Sequence, residues 1–273
     1  MKSLVALLAG AGLLFTGVMY SVALRDPVVR RASIALPHWP SGAAAIRVAL
    51  LTDIHVGGPD MPPSRLDRIV AKVNALKPDL VLIGGDFVSD KALSTRAYSG
   101  SEAIDPLKHL KAPLGVVAVY GNHDIWRGLG DIAPALKAGG VRVLINQAAE
   151  VGPLSLGGVS DAFTSSDDVP RTVSAMRKLP GAKVMLSHSP DVVPKLPDDV
   201  TLILAGHTHC GQIRIPVIGT VSSMSNTGDR YACGFTVDGK KRVITSAGLG
   251  TSIMPLRLGA VPDIWLMTLG PAR

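Results

Sequence analysis

The sequence predicts an α/β protein, a buried sheet flanked by helices, and three observations carry that prediction. Short apolar runs alternate with stretches whose apolar residues recur at helical spacing, the pattern of strands joined by helices. Hydrophobic residues make up 47% of the 273-residue chain but aromatics only 4%, so the core is aliphatic, as in sheets covered on both faces. Polar clusters of Asp, Asn and His follow directly after several apolar runs, where α/β sheets place their ligands.

An apolar segment precedes that fold. Residues 3–24, SLVALLAGAGLLFTGVMYSVAL, carry no charge and number 22, enough to cross a bilayer as a helix. Their length favours a retained anchor. A cleaved signal peptide is the alternative, because Ser21-Val22-Ala23 offers small residues to a peptidase. Lys2 precedes the segment and Arg25, Arg30 and Arg31 follow it. That asymmetry favours a cell-membrane protein with its domain in the cytoplasm, export to the periplasm being the alternative. Residues 1–24 are thus read as anchor or signal, 25–45 (with Pro27, Pro37 and Pro40) as linker, and 46–273 as one domain without internal repeat.

Within the domain, Ile46–Thr52 reads as a buried strand. Pro63–Leu76 reads as a helix, with Leu66, Ile69, Val70, Val73 and Leu76 on one face and proline at its start. Leu80–Ile83 is a strand, Ala103–Leu110 a helix and Leu114–Tyr120 a strand. Ile132–Ala138 is a helix ended by Gly139-Gly140. Val141–Leu144 and Leu154–Val159 are short strands, Val169–Leu179 a helix, and Lys183–Ser187 and Val200–Ala205 strands. The last third, at 212–215, 231–237, 242–246 and 263–269, reads as strands and turns, so the second half adds a mixed or antiparallel sheet.

The net charge of +7 suits a soluble surface or attraction to anionic lipid. Lys and Arg are scattered, with no aromatic-studded basic stripe, so no nucleic-acid partner is expected. Cys210 and Cys233 are too few for a disulfide framework; they either pair or are two small buried residues.

Five motifs stand after the apolar strands: Asp53-Ile54-His55, Gly84-Gly85-Asp86, Gly121-Asn122-His123-Asp124, His188, and Gly206-His207-Thr208-His209. Imidazole with carboxylate and amide oxygen suits Mn, Fe or Zn better than an all-oxygen magnesium site. Five of the seven histidines fall in these motifs, while His38 lies in the linker and His109 in a Lys-rich helix. A lone histidine is most often a surface or core residue; five at strand ends beside Asp53, Asp86 and Asn122 point to a metal site. Glycines 84, 85, 121 and 206 are expected to let the backbone turn tightly beside the cations.

Taken in order over residues 46–210, these motifs resemble the calcineurin-like metallophosphoesterase family. The pieces LLTDIHVG (50–57), GGDFVSD (84–90), LSHSPD (186–191), AGHTHCGQI (205–213) and SAGLGTSIMPLRLGAVPDI (246–264) resemble its membrane-anchored or exported bacterial phosphodiesterases, among them UDP-2,3-diacylglucosamine hydrolases of lipid A synthesis. The resemblance implies a four-layer α/β/β/α sandwich preceded by the apolar helix, holding two divalent metal ions. It places Asp53, His55 and His209 on one metal, Asn122, His188 and His207 on the other, and Asp86 between them. It makes His123 the group that stabilises or protonates the leaving oxygen, with Asp124 orienting its imidazole; a turn-capping Asp124 after Gly121-Asn122 is the alternative and is compatible with that role.

The implied activity is two-metal hydrolysis of a phosphodiester or pyrophosphate bond, the membrane segment favouring a substrate such as UDP-2,3-diacylglucosamine. Other small phosphoesters are the alternative. A non-catalytic metal-binding scaffold is disfavoured, because every expected ligand and His123 are present. Cys210 stands where this branch often has Gly; a small residue filling a turn is its expected role, with a thiol near the metals or a pair with Cys233 as alternatives. Arg257 and the turn 248–252 are expected to hold a loop near the site, with contact to an anionic substrate as the alternative.

Overall fold

A computed structural model describes residues 1–91, 93–215 and 217–272. Helix α1 (Lys2–Ala23) is the apolar segment, exposed along most of its length, with only Met19 and Ala23 buried against the rest. The remaining elements follow in order. They are β1 (Val28–Leu36), β2 (Ile46–Leu51), α2 (Pro63–Ala75), β3 (Leu80–Ile83), α3 (Gly100–Ile104), β4 (Val116–Ala118), α4 (Asn122–Arg127), α5 (Ile132–Ala138), β5 (Val141–Val143), β6 (Gln147–Val151) and β7 (Leu154–Gly158). Then come α6 (Val169–Met176), β8 (Ala182–Leu186), β9 (Leu202–Ala205), β10 (Arg214–Ile215), β11 (Gly219–Thr220), β12 (Gly234–Asp238), β13 (Lys241–Thr245) and β14 (Asp263–Pro271).

Two six-stranded sheets stack face to face. One has the order β1-β14-β2-β3-β4-β5 and the other β12-β13-β9-β8-β7-β6, both mixed. Between them lies an aliphatic core in which Val48, Leu50, Leu80 and Leu82 meet Leu154, Leu156, Val184, Leu186, Leu202 and Leu204. The outer face of the first sheet packs on α2, α3 and α5 through Leu66, Ile69, Val73, Ile104, Ile132 and Leu136. The outer face of the second packs on α6 through Val169, Val173 and Met176. The layers are therefore α/β/β/α. Each fully buried Leu or Ile contributes about 1.5–3 kcal/mol of transfer free energy, so this central layer dominates the stability.

Helix α2 forms as its spacing predicts, with Pro63 at its start and Leu66, Ile69, Val70 and Val73 buried. The stretch 25–45 differs from the expected linker. Residues 28–36 pair in parallel with β14 along their whole length. The strand lies at the sheet edge and buries only Ile34 and Leu36, so its exposed arginines and serine disguise it. Arg30 Nε donates to Asp263 at 2.7 Å and locks the register.

The topology positions the site. Strands β2, β3 and β4 run parallel, as do β8 and β9, so their carboxyl ends share one edge of the stacked sheets.

Candidate metal centre

Asp53 and His55 follow β2, Asp86 follows β3, Asn122 opens α4 after β4, His188 follows β8, and His207 and His209 follow β9. The structure brings all seven together, and all are buried. Asp53, His55, Asp86, His207 and His209 have φ between +48° and +70°. For non-glycine residues that left-handed backbone costs about 1–3 kcal/mol each and persists only where the surroundings enforce it.

The tautomers follow from the backbone. His188 Nδ1 lies 2.7 Å from the Gly84 carbonyl and His207 Nε2 lies 2.8 Å from the Met224 carbonyl. A carbonyl only accepts, so those nitrogens carry the protons. The other nitrogens, His188 Nε2 and His207 Nδ1, each lie 2.9 Å from Asn122 Oδ1 and 3.2 Å from one another. Neutral, this triangle would aim three lone pairs at one point. Burial lowers the His188 pKa, but the charge and hydrogen bond of Asp86 outweigh it and raise it well above its ordinary value. A proton on His188 therefore answers part of the demand, yet it leaves Asn122 Oδ1 opposed to the His207 lone pair. A cation at the centre satisfies all three, so the donor set fits a divalent metal.

The second cluster is continuous with the first. Asp53, His55 and His209 present ligand atoms within 4.8 Å of one another. His55 Nε2 and His209 Nε2 are 3.2 Å apart, and burial pushes His55 down to about 3. Burial also holds His209 well below its ordinary value and takes His207 to about 4, so these rings are neutral at neutral pH, the form a metal needs. Asp86 Oδ2 lies 3.3 Å from both His55 Nε2 and His188 Nε2, one oxygen equidistant between the two groups. Asp53 accepts the His207 backbone N–H at 3.0 Å, which ties β2 to β9 across the sheets.

The geometry corrects one role. Asp124 does not touch the His123 ring. Its carboxylate turns back and accepts the backbone N–H groups of Asp86 and Phe87 at 2.8 Å and of Gly121 at 3.0 Å. It caps α4 and fixes the loop that carries Asp86. The residue beside the imidazole is Asp90, with Oδ1 at 2.5 Å from His123 Nδ1. Burial lowers the His123 pKa, but the hydrogen bond to Asp90 and the charges of Asp86 and Asp90 raise it overall. His123 Nε2 points to the cleft, 3.4 Å from Ser252 Oγ.

The glycines act differently from a common turning role. Gly85 has φ +88°, but Gly121 and Gly206 matter for clearance. A Cβ at Gly121 would stand 2.1 Å from Asp86 Oδ1, and one at Gly206 would stand 2.3 Å from Asp53 Oδ2. Arg257 is fully buried and donates to the carbonyls of Ala247, Gly250 and Ala260, so it holds the loop 247–260. Cys210 and Cys233 form a disulfide directly after His209.

A cleft of about 340 Å³ opens over the cluster. Two aromatic walls lie outside the sequence motifs: Trp126 meets the His123 ring edge-on at 5.1 Å, and Phe163 packs on His207 at 4.5 Å. Ile213, Val221, Ile253 and Met254 continue the lining outward. Charged chemistry thus sits at the base of a largely apolar mouth.

A family model described as calcineurin-like phosphoesterase matches residues 46–211. Phosphodiesterase YaeI of Escherichia coli (strain K12) is 32% identical over 245 residues, which cover 86% of each chain. Putative metallophosphoesterase F40B5.2 of Caenorhabditis elegans is 32% identical over 234 residues, 79% of this chain and 47% of that one. A transmembrane protein with metallophosphoesterase domain from Danio rerio is 28% identical over 271 residues, 92% of this chain and 59% of that one. The chain therefore spans less than two thirds of the length of the worm and fish relatives and most of the bacterial one.

Proposed function

The chain belongs to the calcineurin-like phosphoesterase family and is a metal-dependent phosphoester hydrolase; from that premise we propose that it holds two divalent cations and cleaves a phosphodiester or pyrophosphate bond in a membrane-associated substrate. The observation that carries the two-cation reading is Asp86 Oδ2, equidistant from His55 and His188 with a separate ligand group on either side. Asp53, His55 and His209 would hold one cation and Asn122, His188 and His207 the other. Cations there supply positive charge to a phosphoryl group and acidify water.

The chain's own groups do the rest. The backbone φ values of Asp53, His55 and Asp86 aim their side chains at one point before substrate arrives. His123, whose pKa Asp90 raises, is placed to donate from Nε2 to the leaving oxygen at the cleft mouth. Trp126 and Phe163 shield the site from water and offer apolar surface to the leaving group. Mn, Fe or Zn fit the mixed nitrogen and oxygen donors.

The apolar mouth and helix α1 support an amphiphilic substrate, with UDP-2,3-diacylglucosamine as the candidate. For the compartment, two features compete. The arginines after α1 favour the cytoplasm. The Cys210–Cys233 disulfide favours an oxidising compartment and weighs more, because cytosolic thiols are kept reduced. We therefore assign the domain to the outer side of the membrane that α1 anchors; cleavage of the UDP-linked candidate would instead put it on the cytoplasmic side, where nucleotide-activated lipids are made.

The test is hydrolysis of bis-p-nitrophenyl phosphate by the Mn-loaded protein. Activity is expected to require metal and to disappear in Asp86→Ala and His123→Ala. A loaded, folded protein inactive on a broad ester panel would sink the reading. Mass spectrometry of a UDP-2,3-diacylglucosamine incubation decides the candidate substrate, release of UMP supporting it and intact substrate removing it.

A further inference from the structure

The exit of α1 is fastened to the same loops that form the cleft mouth. The Arg257 backbone N–H donates to the Met19 carbonyl at 3.0 Å, and Arg65 donates to the Arg25 carbonyl at 2.7 Å. Met19 and Ala23 are buried in that contact, while the preceding turns of the helix have no protein cover. From Arg257 the connection runs directly to the mouth. Arg214 N–H donates to the Leu258 carbonyl at 2.7 Å, and the Gln212 amide donates to the Met254 carbonyl at 3.0 Å. The β10–β11 hairpin and the loop 252–258 are thus one hydrogen-bonded unit on which α1 is seated.

That unit carries an unusual surface. Val217 and Ile218 at the hairpin tip are 108% and 74% exposed, and Val221 and Ile253 are 65% and 63% exposed. Met254 and Trp126, beside them on the cleft, are also exposed. Scattered exposed apolar residues are ordinary, but a group of this kind at a site mouth marks a binding surface. The occupant is set by the helix. A 22-residue apolar helix whose last turn is packed on Arg257 brings the lipid surface to the loops that hold it. Side chains such as Val, Ile, Met and Trp partition into the headgroup and upper acyl region of a bilayer.

We propose that the rim formed by the β10–β11 hairpin and the loop 252–258 is seated in the lipid bilayer, so that the metal centre opens onto the membrane surface and takes phosphoesters whose lipid part stays in the bilayer. The seating deepens the hydrolase reading and rests on it for what passes the rim. An amphiphile then needs to raise only its phosphate, and Ile213, Val221 and Met254 cover the first part of its apolar portion.

The experiment uses the full chain reconstituted in phosphatidylglycerol–phosphatidylcholine vesicles with acyl chains brominated near the headgroup. Ile218→Trp and Val217→Trp place a fluorophore at the hairpin tip. Val237→Trp places one at an exposed position near the far end of β12. Bromine quenches indole only in contact. Loss of most of the emission added by Ile218→Trp or Val217→Trp, with that added by Val237→Trp retained, is the expected result. Unquenched emission from both tip variants in vesicle-bound protein would overturn the proposal, because α1 would then anchor a domain whose rim faces water or another protein. The same preparations are assayed on bis-p-nitrophenyl phosphate. Absence of hydrolysis there counts against the enzyme reading, whereas normal hydrolysis without quenching counts against the seating alone.

Discussion

Removing the disulfide tests the structure most directly. Cys210 and Cys233 are separated by 23 residues. The loop between them carries Met224, whose carbonyl orients His207, and Ser225 and Asn226, which bond Asp191. Cross-linking a loop of that length removes chain entropy worth about 3 kcal/mol at 25 °C. For a domain of this size that corresponds to a fall in melting temperature of about 6–12 °C in Cys210→Ala/Cys233→Ala. Cys210 also has φ +55°, a left-handed position that glycine adopts without strain. Cys210→Gly/Cys233→Ala should therefore recover about 1 kcal/mol relative to the alanine pair. Freeing the Met224 carbonyl loosens His207, and lost support of a ligating histidine costs about 10–100-fold in metal affinity. Calorimetry of the metal-free proteins with metal titration reads both effects. Variants that melt with the parent and bind metal as tightly would refute the view that this bond braces the centre.

Asp90→Asn should lower kcat, by no more than the roughly 10²–10⁴-fold that a positioned general acid contributes in full. The sign of the pH effect follows from the charge. Asp90 holds the His123 pKa up, so without it His123 deprotonates earlier and the basic limb of the pH–rate profile moves to lower pH, with partial return in Asp90→Glu. An unmoved limb would remove Asp90 from the mechanism. Asp124→Ala leaves three buried N–H groups unpaired and should cost about 3 kcal/mol or more in stability. Its chemical denaturation midpoint should fall, while the surviving enzyme keeps the parental pH profile; a shifted profile would restore the imidazole-orienting role. Chelation should lower the melting temperature reversibly, because cation at a hundred times its Kd contributes about 2.7 kcal/mol to the folded state. An unchanged thermal scan after verified metal removal would argue against binding at the buried cluster.

Much of this molecule is legible from sequence, and the exceptions have physical causes. Strand β2 and helix α2 are written in local periodicity, and the candidate ligands stand at strand ends where parallel topology gathers them. Strand β1 escapes because an edge strand with one covered face needs few apolar residues, and its partner β14 lies at the other end of the chain. Asp90 lies within GGDFVSD, yet its contact with His123 spans 33 residues and exists only once β3 and β4 pair. Asp124 carried a readable signal. An acid three residues after Gly121, at the start of a helical turn, is placed to cap that turn rather than to reach a neighbouring ring. The disulfide is not set by spacing, which leaves two cysteines equally free to be separate buried residues.

The left-handed candidate ligands explain why the motifs are compact. An extended segment would point Asp53 and His55 the same way, and likewise His207 and His209. A turn with positive φ at all four residues instead lets neighbouring ligands approach the cluster from different directions: Asp53 bonds the His207 backbone, His55 faces Asp86, His207 meets Asn122, and His209 meets His55. The fold maintains this backbone against its cost because strands packed through residues such as Leu50 and Leu204 end in turns that are buried and cross-tied, Asp53 accepting the His207 N–H while the N–H groups of Asp53 and His55 donate to the carbonyls of Gly85 and Asp86. A cation would meet side chains already aimed, and little of its binding energy would be lost to ordering them. It follows that variants which thin the central layer beneath the turns, such as Leu50→Ala or Leu204→Ala, would weaken metal binding as well as stability, although neither residue is among the candidate ligands.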